Sequence, residues 1–169
     1  MTSPSLQKSN ELYRLTHEKY PDNFAGFSMM EYVYDIGKLI QHSNITTCLD
    51  YGCGKARAWK QYNLATLWKL QHVDLYDPGV EQYAVKPSRT SDLVLCMDVM
   101  EHVPEGCVDE VLADINSLAK KAIFFNICVR PASKTLVDGS NAHATVKPQQ
   151  WWREKLNKID KLVIVHFSK

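Results

Sequence analysis

The segment Thr46-Thr47-Cys48-Leu49-Asp50-Tyr51-Gly52-Cys53-Gly54-Lys55-Ala56 constrains this chain more than any other. Its β-branched and apolar start reads as a short strand, Asp50 closes that strand, and Gly52 and Gly54 make a tight turn into a helix. At the edge of a parallel sheet, such a turn brings backbone close to a nucleotide-like ligand, because glycine puts no Cβ in the way. The residues just past the second glycine decide which ligand fits. A dinucleotide fingerprint, G-x-G-x-x-G, needs its third glycine where this chain has Arg57, whose bulk obstructs close packing of helix on sheet. A nucleotide-dependent oxidoreductase is therefore disfavoured.

Two further segments stand at the intervals that a cofactor-binding sheet requires. His72 to Tyr76 reads as a second strand, and Asp77 comes directly after it, before the turn pair Pro78-Gly79. An acidic residue about 20 residues past the glycine turn is where a ribose hydroxyl pair is gripped, and the two oxygens of Asp77 can accept from both hydroxyls. Asp74 lies inside the strand and is the poorer candidate. The third segment runs Ser91-Asp92-Leu93-Val94-Leu95-Cys96-Met97-Asp98-Val99-Met100-Glu101-His102-Val103. Its apolar run reads as a central strand buried on both faces.

Asp50-x-Gly52-x-Gly54-x-Ala56 fits the pattern acidic-x-G-x-G-x-G, with alanine, the smallest substitute, in the third glycine position. This resembles the first motif of class I S-adenosylmethionine-dependent methyltransferases. The Asp92 to Val103 stretch resembles the D-L-V-x-x-x-D-V-L-E-H-V stretch of the small-molecule type of that family, with Met100 in place of the usual leucine. The resemblance implies an α/β fold, a Rossmann-like sheet with helices on both faces, here reduced in size. It implies S-adenosyl-L-methionine as cofactor, held by Asp50, Tyr51, Gly52, Cys53 and Gly54 under its ribose and methionine portion, by Asp77 and Pro78, and by Asp98 and Val99. Family members usually place a helix, a third strand and an acidic residue near the adenine between the second and third segments. Gly79 to Arg89 is too short for both elements, and Lys86-Pro87-Ser88 offers no acid. The family's last antiparallel strand also has no residues left to form it, which leaves a sheet edge open to a second copy of the chain.

The rest of the chain fills in around these segments. Residues 1–169 are expected to form a single domain, with N-terminal helices over the pocket in 1–44 and the sheet core in 45–169. Ser3-Pro4 starts a helix to about Tyr20, and Ser28-Met29-Met30-Glu31 reads as a capping box that opens a helix to about His42. Arg57 to Leu70 is helical with a break near Asn63. Pro104 starts a helix to about Lys120 with Val108, Val111, Leu112, Ile115 and Leu118 inward, Ala122 to Val129 is a buried strand, and Arg130 to Val146 is a long loop. Pro148 opens a short helix carrying Trp151 and Trp152, read as packing residues, and Leu162 to Phe167 is the final strand.

Methyl transfer from a sulfonium is an in-line displacement of an already activated electrophile, so the protein mainly positions the reactants. A general base is needed only for a hydroxyl or protonated amine acceptor. His102 and His143, expected at the carboxyl edge of the sheet, are the candidate catalytic residues, since their ordinary pKa suits that role. A structural alternative has His102 packing or hydrogen-bonding at a helix start, anchored by Glu101. Tyr13 and Phe27 are candidates for the acceptor side.

The formal net charge of +1 gives no field to steer a polyanion, so a small-molecule acceptor is favoured over nucleic acid. No N-P-P-Y or D-P-P-Y segment and no Pro-Cys nucleophile point to DNA bases. The five cysteines form no C-x-x-C pair and have no histidines at zinc spacing, so no metal site or disulfide framework is expected. That usage fits a reducing, cytoplasmic setting, and no apolar run approaches a membrane span. The alternative function is a catalytically silent S-adenosylmethionine-binding or interaction protein of the same fold.

Overall fold

Ser3 and Pro4 begin the first helix as the sequence predicts. The Ser3 hydroxyl accepts from the Leu6 amide, proline occupies the first helical position, and α1 runs Pro4–Lys19 until Pro21 ends it. The computed structural model describes residues 2–169. Its centre is a five-stranded, all-parallel sheet of β1 (Thr47–Tyr51), β2 (His72–Tyr76), β3 (Ser91–Met97), β4 (Ala119–Cys128) and β5 (Leu162–Ser168), in the order β2-β1-β3-β4-β5. The chain leaves β1 toward β2 on one side and returns to β3 on the other. That reversal opens a crevice at the carboxyl ends of β1 and β3, where open parallel sheets hold their ligands.

Two apolar layers sandwich the sheet. On one face Ile36, Leu39 and Ile40 of α2 (Val33–His42) pack with Trp59 of α3 (Arg57–Gln61) and Leu64 of α4 (Leu64–Leu67) against Cys48, Leu93, Leu95 and Phe124. On the other, the five inward residues expected of α5 (Val108–Leu118) are all buried, beside fully buried Trp152 of α6 (Gln149–Leu156). Trp151, its neighbour, stays half-buried between the ammonium groups of Lys147 and Lys155. At the amino ends of the strands, Asp92 accepts from the amide and hydroxyl of Thr46 while Thr47 accepts from the Asp92 amide, which closes that end.

Three local expectations are corrected. Ser28 and Glu31 form no capping box: Ser28–Tyr32 is a 3-10 turn without a side-chain cap. Pro104 leads first into the 3-10 turn Glu105–Cys107, so α5 begins at Val108. That helix also ends sooner than expected, at Leu118, and β4 begins directly after it at Ala119 rather than at Ala122. The expected break after α3 is present, because Asn63 takes a left-handed φ of +47°.

Between β2 and β3 there is only the 3-10 turn Glu81–Tyr83. The sheet therefore ends at β2, and every residue of that strand is only half-buried. Its edge carries charge: Asp74 takes a bidentate bond from Arg89, 2.8 and 2.9 Å, and a further contact from His72. Asp74 is thus committed to these partners at the edge. No helix among the described residues is long and apolar enough to cross a membrane.

Candidate cofactor and acceptor site

The glycine turn after β1 is shaped by protein contacts on both sides. Gly52 and Gly54 have φ of +82° and +54°. A Cβ on Gly52 would overlap the Val99 side chain, and one on Gly54 would overlap the carbonyl oxygen of Phe24. Gly26 is locked in turn against the Cys53 carbonyl, so the segment Phe24–Gly26 lies across the turn as a strap. Its carbonyls accept from the amides of Lys55, Arg57 and Ala58 at 3.1, 3.0 and 3.4 Å. Those are the amides at the start of α3 that a pyrophosphate would need, so the strap closes the dinucleotide phosphate site.

Asp77 stands where the spacing places it, at the carboxyl end of β2. One carboxylate oxygen accepts from the Gly54 amide and the other from the Gly79 amide, both at 2.8 Å. The two oxygens are therefore already oriented by backbone, and each keeps an acceptor lone pair for a ligand hydroxyl. Withdrawal from water raises the Asp77 carboxyl above its ordinary value, and the two amide bonds oppose that rise.

A cavity of about 1430 Å³ spreads over these carboxyl ends. Tyr51, Gly52, Gly54, Asp77, Pro78, Asp98, Val99, His102 and His143 all line it. Two expected cofactor residues do not. Cys53 is buried, with its thiol on the Gly54 carbonyl, and Asp50 is 1% exposed beneath the turn, where the Trp59 indole donates to it at 2.7 Å. The cause is the two-residue alternation of a strand: Cys48 and Asp50 face the α3 layer, Leu49 and Tyr51 the α5 layer. Asp50 and Cys53 shape the turn from below.

Burial pushes the Asp50 carboxyl up to about 7, partly opposed by the Trp59 bond. Between its ordinary 3.8 and about 7, the folded protein keeps a proton that the unfolded chain has lost, so this group lowers stability as pH rises. His17 and His102, both pushed down to about 4 by burial, act in the opposite sense between about 4 and 6.5. The difference between Asp50→Asn and wild type isolates the aspartate, since asparagine keeps an acceptor for Trp59 and cannot ionise. Denaturant melts should show the variant gaining on wild type from pH 4 to 7, up to a few kcal/mol at about 1.4 per unit. A difference independent of pH contradicts this assignment.

The acceptor end is assembled from three distant segments. The carbonyl of Ala142 accepts from the Tyr13 hydroxyl of α1 and from His102 Nδ1, the latter at 2.8 Å. Because a carbonyl only accepts, His102 carries its proton on Nδ1 and leaves Nε2 free. The ring is thus packed and hydrogen-bonded, as the structural alternative has it, but its anchor is not Glu101, whose carboxylate accepts from the Cys128 amide at 2.9 Å. Tyr13, Phe24 and His143 surround the His102 ring edge-on, with centroids 5.4, 5.8 and 4.8 Å away. His143 donates from Nδ1 to the Arg130 carbonyl at 2.6 Å.

The long loop 130–146 is thereby held in place. Asn141 bridges Ala132 and His143, Val137 donates to Thr16 of α1, and Thr145 bonds the carbonyls of Glu101 and Val103. Asp98, at a left-handed φ of +55°, is held by the side-chain amide of Asn126, whose oxygen accepts from Tyr32. Sequence reasoning missed Phe24, Gly26 and Asn126 as parts of this end, and each is joined to it by contacts with no sequence spacing to mark them.

No protein-family model matches the chain, and no curated protein matches it. Its structure is similar to a solved DhpI-SAH complex, with a TM-score of 0.52 over 94% of this chain and 89% of that one, at 17% identity. The likeness is one of fold, a Rossmann-like parallel sheet with helices on both faces. The cavity occupies the crevice between β1 and β3 that such a fold reserves for its ligand, and the five parallel strands form a reduced version of the sheet.

Proposed function

We propose that this chain binds S-adenosylmethionine across the Gly52–Gly54 turn and transfers its methyl group to a small-molecule acceptor. The observation that carries this reading is the combination at one turn of an Asp77 carboxylate oriented by two backbone amides with a helix start whose amides are already taken by the strap. Such a site suits a ribose without a pyrophosphate. The DhpI complex of similar fold holds SAH, the demethylated form of that cofactor, which supports the same ligand.

In this reading Asp77 grips the ribose hydroxyls, and Pro78 and Val99 flank the sugar and base. The adenine end falls toward Tyr51 and Tyr76, where Asp114, bonded to the Tyr51 hydroxyl at 2.9 Å and to Lys86 at 2.7 Å, supplies the acid that Lys86-Pro87-Ser88 does not offer. The bound cofactor supplies an activated methyl group: the acceptor–carbon bond forms as the carbon–sulfur bond breaks, and its electron pair returns to sulfur. Tyr13, Phe24 and His102 exclude water and orient the acceptor. His102, with its pKa near 4, is a weak base and holds position, whereas His143 presents Nε2 to receive an acceptor proton.

Calorimetric titration of the full chain with S-adenosylhomocysteine and NAD tests this reading. One equivalent of S-adenosylhomocysteine should bind and NAD should not. Absence of binding by S-adenosylhomocysteine, or tighter binding of NAD, overturns it. Labelled methyl transfer to a panel of small hydroxyl, amine and carboxylate acceptors then separates an enzyme from a silent binder.

A further inference from the structure

We propose that Glu101, Cys128 and His143 form a divalent-cation site of the zinc type at the acceptor end of the cavity. One ligand atom from each of the three lies within 4.8 Å of the others. They come from separate places in the fold: the 3-10 turn after β3, the last residue of β4, and the loop 130–146. No spacing in the sequence joins them.

The buried glutamate points to a ligand. Glu101 has no exposed surface, its Oε1 accepts from the Cys128 amide, and its Oε2 is buried with no hydrogen-bond partner. A buried carboxylate oxygen left unpaired is costly, and a cation bound there removes the cost. Glu101 lies in the cavity wall beside Cys128 and His143, both of them partly exposed. The other two donors are prepared as ligands. The Arg130 carbonyl holds His143 with its proton on Nδ1, which leaves Nε2 as the basic nitrogen and is the usual outer partner of a metal-bound histidine. Cys128 is a free thiol and only partly buried, unlike the other four cysteines.

Sulfur, imidazole nitrogen and carboxylate oxygen together match zinc better than magnesium or calcium, which prefer all-oxygen shells. Bonds of about 2.0 to 2.3 Å require the ligand atoms to draw together by roughly 1 Å, within the reach of side-chain rotation. Glutamate and thiolate balance the two positive charges. Three protein ligands leave a fourth position open, as in catalytic zinc sites. What the ion does there rests on the methyl-transfer reading: it would hold and acidify an acceptor oxygen, and His143 would then hold the ion in place of a proton.

Titration of the untagged, metal-stripped chain with Co²⁺, followed by displacement with Zn²⁺, tests the site without any cofactor. One Co²⁺ per chain should bind with a thiolate-to-cobalt charge-transfer absorption that Zn²⁺ abolishes. Cys128→Ser should lose that absorption, and His143→Ala should weaken binding by about tenfold or more; both positions are partly exposed, so both variants should fold. No charge-transfer absorption in wild type, or the same absorption in Cys128→Ser, overturns the site. Because cofactor binding is read separately, failure of either proposal leaves the other standing.

Discussion

Asp77→Ala is expected to weaken S-adenosylhomocysteine binding by about a hundredfold or more, the largest single loss at the site. Hydrogen bonds to a charged group contribute about 1.5 to 3 kcal/mol each, and the proposed ribose grip makes two, at about 1.4 kcal/mol per tenfold. The same substitution also leaves the Gly54 and Gly79 amides without their acceptor, which costs about 1 to 3 kcal/mol each in stability where water cannot replace it. Titration well below the melting temperature of the variant separates the two effects. Asp77→Asn sharpens the result, because its amide can satisfy one of the two backbone donors but turns an N–H toward the other. It should bind poorly while melting closer to wild type. Binding by Asp77→Ala at wild-type affinity would remove Asp77 from the cofactor site.

The second large effect is structural. Gly54→Ala should lower stability by about 2 to 5 kcal/mol, combining a left-handed backbone at a residue with a Cβ, about 1 to 2, with a clash that only backbone movement can relieve, about 1 to 3. The obstacle is the Phe24 carbonyl, so the strap must lift from the turn. For a chain of this size that is a fall of roughly 5 to 15 °C in melting temperature. Two other glycines serve as controls. Gly139 has φ of +85° but open space around it, and Gly106 has open space with no positive φ. Gly139→Ala should cost about 1 to 2 kcal/mol and Gly106→Ala close to none. If Gly54→Ala melts like Gly139→Ala, the strap does not interlock with the turn.

The strap also explains why the glycine turn was legible as a ligand turn but its detail was not. The Gly-x-Gly spacing marks a backbone that must accept close approach, and sequence alone assigns that approach to a ligand. In the fold, much of it is taken by Val99 and by Phe24. Segment 24–26 meets the turn from far along the chain, and no pattern announces a contact of that kind. Asp50 shows a different gap. Its place at the end of a strand suggested a ligand role, while the alternation of the strand had already assigned it to the face that α3 covers with Trp59.

Elements dominated by local chemistry were readable. The strands at 72–76 and 91–97 follow from β-branched and apolar runs, the five-residue inner face of α5 from helical period, and the break at Asn63 from a residue that tolerates the left-handed region. The acceptor end was readable only in part. His102 and His143 were singled out by residue type and do meet, 4.8 Å apart, but the groups that orient them, Tyr13, the Ala142 carbonyl and the Arg130 carbonyl, depend on how loop 130–146 folds back on α1. The Glu101, Cys128 and His143 cluster had no signature at all, since metal-ligand spacing is recognisable only when the ligands share a short segment.

The central claim is that one turn, Gly52–Gly54 with Asp77, holds the cofactor and leaves its methyl position facing the histidine end of the cavity. A crystal structure of the chain with S-adenosylhomocysteine tests it most directly. The ribose hydroxyls should lie on the two Asp77 oxygens, with the sulfur directed toward His102 and His143 and the strap still bonded to the start of α3. A cofactor bound elsewhere, or bound at this turn with Asp77 making no contact to the ribose, would contradict the account.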